Sequence, residues 1–257
     1  MPETDLDLLM RAAQEAGRIA TRFSGPEAQV WDKPDGAGPV TEADLAVNEM
    51  LEHELRAARP DYGWLSEESI DSGDRLSADH VFIIDPIDGT RSFMDGSNTW
   101  AHSLAIAKQG RVTAAVVFLP LRDKLYSAAE GAGAHLNGAA IRPTDRPALT
   151  GANVLVARPV MDDHHWKHSP PNVFRSYRPS LAYRLALVAE GRYDAMLTLR
   201  PTWEWDIAAG DLILREAGAA TSDRKGETLL FNNPDPRVPG IVAANAAVHS
   251  DICAALV

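Results

Sequence analysis

The sequence predicts a mixed fold of α-helices and β-strands, and three observations support that prediction. The chain has 257 residues, of which 45% are hydrophobic, so it can bury a sizeable core in one large domain or in two closely packed ones. Apolar residues recur at the spacing of a helix face, first in residues 5–23. Runs rich in apolar and β-branched residues at 101–107 and 112–119 predict two strands that pair antiparallel through a turn at Gln109 and Gly110.

Further helices are predicted from the residues at their ends. Residues 41–44 read TEAD, which has the form of a capping box at a helix start. Residues 180–191 predict a helix stopped by a glycine, and another helix extends from residue 206 to a glycine at 218. Residues 24–40 are rich in Gly and Pro and predict an irregular connection. Lys33 is the only base in that connection, and a solvated lysine is its simpler interpretation.

Charge and composition limit the classes of partner and the location. The formal net charge is −11, which argues against binding a nucleic-acid polymer, because such proteins normally present a basic surface. No apolar run reaches the length of a membrane span, so no membrane association is expected. The N-terminal residues carry acids where a signal peptide carries bases, and the single cysteine, Cys253, excludes an internal disulfide. These features predict a cytoplasmic protein.

The stretch from residue 81 to residue 96, VFIIDPIDGTRSFMDG, brings two carboxylates to the end of a predicted strand. Four apolar residues lead into Asp85 and Asp88, which stand in a turn stiffened by Pro86. Gly89 permits a close approach that a side chain would block. A rigid, oxygen-rich turn suits Mg²⁺, which binds carboxylates in near-octahedral geometry. An ordinary polar turn is the alternative, because Asp, Pro and Gly are common turn residues.

Acids elsewhere in the chain are candidates for the same site. Residues 62–69 predict a short strand that ends in Glu67 and Glu68, and in a continuing strand these two side chains would point opposite ways. At most one of them would then face the turn at Asp85. Asp206 precedes a run of small residues that allows its helix to approach neighbours closely, and the simpler interpretation of Asp206 is a helix N-cap.

Three motifs, in order along the chain, resemble the inositol monophosphatase superfamily: LSEES with Glu67, DPIDGT at 85–90 and WDIAAG at 205–210. This superfamily comprises Mg²⁺-dependent, lithium-sensitive phosphomonoesterases. The resemblance implies an α+β fold, a layered α/β/α/β/α sandwich. It also implies an N-terminal α+β subdomain with the DPIDGT centre, residues 1–145, and a C-terminal α/β subdomain, residues 146–257, that supplies the last aspartate and the substrate contacts. The boundary is placed in a Pro-rich segment.

The resemblance implies a metal centre that holds two or three Mg²⁺ ions. Its ligands would be the side chains of Glu67, Asp85, Asp88 and Asp206 and the backbone carbonyl of Ile87. Four acids at one place repel one another strongly unless cations neutralise them, which agrees with the implied role. Thr90 would pair with Asp44 and help Glu67 to take a proton from an attacking water. Amides at Gly89 and Thr90 would meet the phosphate, and Lys33 matches a basic position that also serves substrate binding.

The residues around Asp206 direct the prediction to one branch of the superfamily. In inositol monophosphatases a glutamate stands seven residues before this aspartate, whereas this chain has Leu199. The run PTWEWD instead resembles bacterial 3′(2′),5′-bisphosphate nucleotidases, which commonly have a lysine where this chain has an arginine at 184. Arg184, Arg200 or Arg178 would hold the second phosphate of adenosine 3′,5′-bisphosphate, a small phosphorylated metabolite, while the 3′ ester is hydrolysed to AMP and phosphate. A surface salt bridge is the alternative for each arginine.

Other interpretations stay open at this point. An inositol-1-monophosphatase, or a phosphatase of another small phosphate ester, would use the same metal centre with a different pocket. Haloacid dehalogenase-like phosphatases also carry an aspartate motif after a strand, but one residue separates their two acids, whereas Pro86 and Ile87 both intervene here. A non-catalytic metal-binding protein is disfavoured because every catalytic position is filled. Superfamily members include monomers, dimers and larger assemblies, so a homodimer is one expected state.

Overall fold

The computed structural model of the chain describes residues 3–23, 29–33 and 38–257. The α-helices are α1 (Asp5–Ala20), α2 (Glu42–Ala58), α3 (Thr90–Met94), α4 (Leu181–Ala189), α5 (Glu204–Glu216) and α6 (Ala246–Ala255). The strands are β1 (Val30–Asp32), β2 (Pro39–Thr41), β3 (Gly63–Ser66), β4 (His80–Asp88), β5 (Ala101–Lys108), β6 (Arg111–Leu119), β7 (Lys124–Ala129), β8 (Ala134–Leu136), β9 (Ala139–Ala140), β10 (Asn153–Val156), β11 (Phe174–Ser176), β12 (Ala195–Thr198), β13 (Thr202–Trp203), β14 (Ala220–Ser222), β15 (Arg237–Val238) and β16 (Ile241–Ala244). Within the three described ranges, no helix combines the length and the hydropathy that a membrane crossing requires.

Two sheets organise the chain. The first has seven strands in the order β3-β4-β5-β6-β7-β8-β9, in which β3 and β4 are parallel and every other neighbouring pair is antiparallel. The second has five strands in the order β11-β10-β12-β16-β14, with β10 parallel to both of its neighbours and the other pairs antiparallel. The predicted antiparallel pairing of residues 101–107 with 112–119 is confirmed by β5 and β6.

Alternating side chains place helices on both faces of each sheet. Phe82 and Ile84 of β4 pack with α1 and α2, whereas Val81 and Ile83 face the opposite way, into a core shared with α4 and α5. That second core includes Met196 of β12, so α4 and α5 lie between the two sheets. The far side of the second sheet packs on α6. The order of layers therefore confirms the α/β/α/β/α sandwich.

The two middle helices approach each other closely at one glycine. A Cβ on Gly210 would lie 2.4 Å from Cδ1 of Leu185, so glycine is required at this distance between α5 and α4. The prediction that the small residues after Asp206 permit close approach is confirmed. Because α5 also contacts β4, this packing brings the start of α5 to the end of the central strand.

The starts of two helices were predicted with different success. Thr41 and Asp44 form the predicted capping box at the start of α2, with Thr41 N donating to Asp44 Oδ2 at 2.8 Å. The interpretation of Asp206 as an N-cap is wrong, because Trp203 occupies that position and Asp206 is already inside the first turn of α5. The short strand β13 ends at Trp203, which fixes where the helix can begin.

The prediction of an irregular connection at residues 24–40 is wrong for part of that segment. Residues 24–28 and 34–37 lie outside the described residues. The backbone of β1 pairs antiparallel with β2, with Trp31 opposite Val40, so the polar groups of this part are satisfied by a two-stranded ribbon.

The division of the chain near residue 145 stays a prediction. Residue 145 falls between β9, the last strand of the first sheet, and β10, the first strand in sequence of the second sheet. Helix α5 comes from the later part of the chain but packs against strands of the first sheet, so the two parts share one core.

Candidate active site

Three carboxylates from two distant parts of the chain meet at the end of β4. One oxygen from each of Asp85, Asp88 and Asp206 lies within 4.8 Å of the other two. The first two stand at the carboxyl end of β4, and Asp206 stands in the first turn of α5. Asp85 and Asp88 are buried, and Asp206 is half-buried. We call these three residues the acid cluster.

A bulge in β4 brings both of its aspartates to the same side. Between Asp85 and Asp88, the residues Pro86 and Ile87 stand opposite the single residue His102 of β5. In a regular strand, residues three apart point to opposite faces, so the extra residue is what returns Asp88 to the side of Asp85. Proline suits this break because it has no N–H to donate to the ladder.

The oxygens of the acid cluster are not equally satisfied. Oδ2 of Asp88 accepts hydrogen bonds from Ser180 Oγ and Ala182 N, each at 2.6 Å, at the start of α4. Oδ1 of Asp85 is buried and has no hydrogen-bond partner among the described residues. Since buried polar atoms are normally partnered, this oxygen has the properties expected of a cation ligand.

Burial and mutual repulsion raise the pKa values of the acid cluster. Desolvation is the largest cause at Asp85 and Asp206, neighbouring acids including Glu67 add to it, and both pKa values lie well above the ordinary 3.8. Desolvation also raises the pKa of Asp88 to about 6, against the hydrogen bonds that it accepts. Full ionisation of these groups is therefore unfavourable unless a cation is bound.

Glu67 and Glu68 share one lysine beside the acid cluster. Lys33 Nζ lies 2.7 Å from Glu67 Oε1 and 2.6 Å from Glu68 Oε1. The strand alternation that would separate the two glutamates does not extend to them, because β3 ends at Ser66. Of the two, only Glu67 is among the acids that raise the pKa of Asp85. The interpretation of Lys33 as solvated is also wrong, since its side chain is 13% exposed. Desolvation raises the pKa of Glu68 to about 7.

A second hydrogen-bonded group joins α2 to the start of α3. Thr90 Oγ1 lies 3.3 Å from Asp44 Oδ1 and 3.3 Å from the carbonyl oxygen of Ile87. The other carboxylate oxygen of Asp44 accepts from the backbone and side chain of Thr41, and desolvation raises the pKa of Asp44 to about 6. Gly89 occupies the N-cap of α3 with a φ of 99°, a conformation that favours glycine.

Two of the three candidate arginines act electrostatically on the acid cluster. Arg200 is exposed, and the charges of Arg200 and Arg184 both oppose the rise in the pKa of Asp206. Arg184 is buried, and its guanidinium lies 4.3 Å from the centre of the Tyr177 ring. Both arginines line a cavity of about 250 Å³ that also includes Tyr177 and Leu199. The cavity wall therefore includes the two arginines whose charges act on Asp206.

The donors of these arginines are committed to different degrees. Arg184 donates to the backbone carbonyls of Arg178 and Pro179, so much of its guanidinium serves the turn before α4. The Arg178 guanidinium donates to the Tyr177 carbonyl and, at 3.2 Å, to the Tyr193 hydroxyl. These bonds hold the side chain of Arg178 against Tyr193 rather than at the acid cluster.

Sequence reasoning missed two contacts of this site. Ser180 marked a helix start, and that N-cap position is also what places its hydroxyl beside Asp88, so the signal was present but had two meanings. The pairing of Lys33 with Glu67 joins residues 34 apart in the chain, and no local pattern predicts it.

The donor set fits Mg²⁺. Carboxylate and carbonyl oxygens are the hard ligands that this ion prefers, and the described residues of the site offer no thiolate or imidazole among the clustered acids. The acid cluster would hold the metal, and Glu67 and the Ile87 carbonyl lie close enough in the fold to be further ligand candidates. A bound cation would satisfy Asp85 Oδ1 and relieve the repulsion among the acids.

Comparison with known proteins gives consistent matches along the whole chain. The sequence matches the inositol monophosphatase family over residues 1–257. It is 33% identical to an inositol-1-monophosphatase of Mesorhizobium japonicum, over 95% of this chain and 92% of that protein. It is 35% identical to the Nus factor SuhB of Pseudomonas aeruginosa, over 86% of each. The structure matches that of the extragenic suppressor protein suhB from Bartonella henselae with a TM-score of 0.80, at 30% identity and over 96% of each chain.

Proposed function

The chain belongs to the inositol monophosphatase family, whose members are metal-dependent phosphomonoester hydrolases, and we propose that its substrate is adenosine 3′,5′-bisphosphate. The proposed reaction is that of a 3′(2′),5′-bisphosphate nucleotidase, which hydrolyses the 3′ ester to AMP and phosphate. Membership in this family argues against the two alternatives, a haloacid dehalogenase-like phosphatase and a non-catalytic metal-binding protein. The observation that supports the substrate is the position of Arg200, an exposed cation that lines the cavity and whose charge also acts on Asp206.

In this proposal, the residues of the site divide the work of hydrolysis. Mg²⁺ held by the acid cluster would neutralise its charge, activate a water and polarise the phosphoryl oxygens. Glu67, held by Lys33, is the group assigned to accept the proton that the attacking water loses. The Asp44–Thr90 hydrogen bond fixes the Thr90 hydroxyl, which we assign to orient that water. The amides of Gly89 and Thr90 would contact the phosphate.

A second phosphate on the substrate gives the arginines a role that a monophosphate would not. An exposed guanidinium has free donors in a planar fork that matches phosphate oxygens. Arg200 fits this description, whereas the guanidinium groups of Arg184 and Arg178 donate hydrogen bonds to backbone carbonyls. The Tyr177 ring on the cavity wall offers an apolar face for a base.

Inositol 1-phosphate is the second candidate substrate, because a relative with 33% identity over most of both chains is named an inositol-1-monophosphatase. Against it stands Leu199, which is 4% exposed and offers no polar group to an inositol hydroxyl. An apolar residue there does not compensate the desolvation of a polyol.

A comparison of kcat/KM for adenosine 3′,5′-bisphosphate and for inositol 1-phosphate tests this choice. The bisphosphate should be preferred, and Arg200→Ala should raise its KM by about 10- to 100-fold, the loss of one charged hydrogen-bonded contact. The same variant should leave the KM for inositol 1-phosphate near its original value. Arg192→Ala, an exposed arginine elsewhere in the chain, is the matched control. A preference for inositol 1-phosphate would reverse the assignment.

Two further properties belong to the same proposal. Lithium ions should inhibit the enzyme, as the resemblance to lithium-sensitive phosphatases implies. The single cysteine supports a cytoplasmic location.

A further inference from the structure

Two adjacent residues of β5 are hydrogen-bonded to the backbone on both sides of the acid cluster. The Nδ1 atom of His102 bonds to the carbonyl oxygen of Pro86, between Asp85 and Asp88. The Oγ atom of Ser103 donates to the carbonyl oxygen of Trp205 at 2.8 Å, directly before Asp206. Successive strand residues point to opposite faces, so one strand reaches β4 with one side chain and α5 with the next.

The protonation of His102 follows from its surroundings. A carbonyl oxygen only accepts, so Nδ1 must carry the hydrogen. The other ring nitrogen, Nε2, is buried without a partner among the described residues, and the rings of Trp100 and Phe118 lie beside the imidazole. Desolvation lowers the pKa of His102 to about 4, so the ring is neutral near pH 7. A buried Nε2 without a hydrogen-bond partner destabilises the fold, and the hydrogen bond from Nδ1 to Pro86 offsets that destabilisation.

The Pro86 carbonyl has a particular need for this partner. Pro86 lies in the bulge, where two residues of β4 face one residue of β5 and the regular ladder is interrupted. Pro86 and Ile87 are buried, so water cannot replace a missing hydrogen bond of the ladder. The His102 ring therefore fixes the peptide that joins the two aspartates of β4.

We infer that His102 and Ser103 are positioning residues that set the two halves of the acid cluster at the separation that Mg²⁺ requires. The halves come from β4 and α5, and their like charges push them apart in the absence of a cation. Because both hydrogen bonds come from consecutive residues of β5, the backbone of that strand sets the distance between β4 and the start of α5 before a metal binds. This inference rests on the assignment of the acid cluster as the metal site.

Isosteric variants separate this role from simple packing. The side-chain amide nitrogen of asparagine can take the place of Nδ1, whereas that of glutamine takes the place of Nε2 and leaves Pro86 without a donor. In calorimetric titration with MgCl₂, H102Q should bind Mg²⁺ about 10- to 100-fold more weakly, the usual cost of losing a residue that orients metal ligands. H102N should stay close to the original affinity. At saturating Mg²⁺, kcat of H102Q should largely recover.

Ser103→Ala gives an independent arm, with a weaker affinity for Mg²⁺ expected for the same reason. Ser127→Ala, a buried serine of the same sheet on β7, is its matched control, and His80→Asn at the other end of β4 is the control for the histidine. Should H102Q not fold, S103A against S127A carries the test alone.

The outcomes are distinct. Unchanged Mg²⁺ affinity in both H102Q and S103A, or equal weakening in H102N and H102Q, overturns the positioning role while leaving the phosphatase assignment intact. Failure of the original protein to bind Mg²⁺ at all overturns the metal site, and this inference with it.

Discussion

Asp85 and Glu204 are both buried carboxylates of one molecule, and they are held in opposite ways. Glu204 is 0% exposed and accepts hydrogen bonds from the backbone of Asn232 and from the backbone and side chain of Asn233, at 2.6–2.9 Å. Asp85 is 1% exposed, and its Oδ1 has no partner among the described residues. Desolvation is the largest cause of a raised pKa at both residues, but only Asp85 has other acids as its next causes.

This difference separates an acid that supports the fold from one that binds a ligand. The donors around Glu204 replace water, so its burial is compensated within the chain. Around Asp85 the neighbours are carboxylates, which oppose ionisation and which only a proton or a cation can neutralise. Burial and a raised pKa are common to both, so it is the set of partners that identifies the metal site.

The largest expected effect is on catalysis by Asp85→Asn. Loss of one ligand removes charge stabilisation worth several kcal/mol, so kcat/KM in Mg²⁺ should fall by about 1000-fold. Released phosphate from a phosphomonoester is the measurement. In EDTA the variant should be at least as stable to urea as the original protein, because an unpaired buried carboxyl is gone. A variant that kept its activity would contradict the division between the two acids.

The sequence predicted the acid cluster better than its supports, for a physical reason. Asp85 and Asp88 lie three residues apart in the chain, Pro86 between them restricts the backbone, and Gly89 after them permits a conformation that other residues disfavour. In contrast, the roles of Glu204 and Asp206, two residues apart, depend on how α5 is rotated. That rotation depends on the contact of Gly210 with Leu185, which no local pattern specifies.

The helices and strands divide in the same way, into those that local patterns predict and those that depend on distant partners. Strand periodicity and capping residues act locally, and they predicted β5, β6 and the start of α2. The ribbon of β1 with β2 and the ion pairs of Lys33 depend on partners far along the chain, and the sequence alone left both unassigned.

The next largest expected effect is a fall in the free energy of unfolding as pH rises in the absence of metal. Burial raises the pKa of Asp44 and of Asp88 from 3.8 to about 6, so the folded protein binds more protons than the unfolded chain in that range. Each carboxyl gives stability that is complete below pH 3.8 and is lost as pH rises through about 6. The loss is on the order of 3 kcal/mol for each carboxyl.

Urea unfolding from pH 4 to pH 7 measures this effect, because the loss falls between the unfolded and the folded pKa of these carboxyls. In EDTA the free energy of unfolding should fall as pH rises, whereas in MgCl₂ the fall should shrink or reverse, because Mg²⁺ binds the deprotonated acids. A free energy of unfolding that rises with pH in EDTA would show that burial does not raise the pKa values of these acids, and would contradict this account.

The smallest effect is expected for Glu204→Gln, which changes the acid that supports the fold and leaves the acid cluster intact. The substitution keeps the size of the side chain but places an amide nitrogen against the donors of Asn232 and Asn233, so the free energy of unfolding should fall by about 1–3 kcal/mol. The rise in melting temperature caused by Mg²⁺ should nevertheless equal that of the original protein, because Glu204 is satisfied without a cation. Asp85→Asn should show the reverse, a preserved stability in EDTA and a much smaller rise with Mg²⁺. If Glu204→Gln also lost the response to Mg²⁺, then the start of α5 would have to be part of the metal site as a unit, and hydrogen bonding alone would no longer distinguish the two acids.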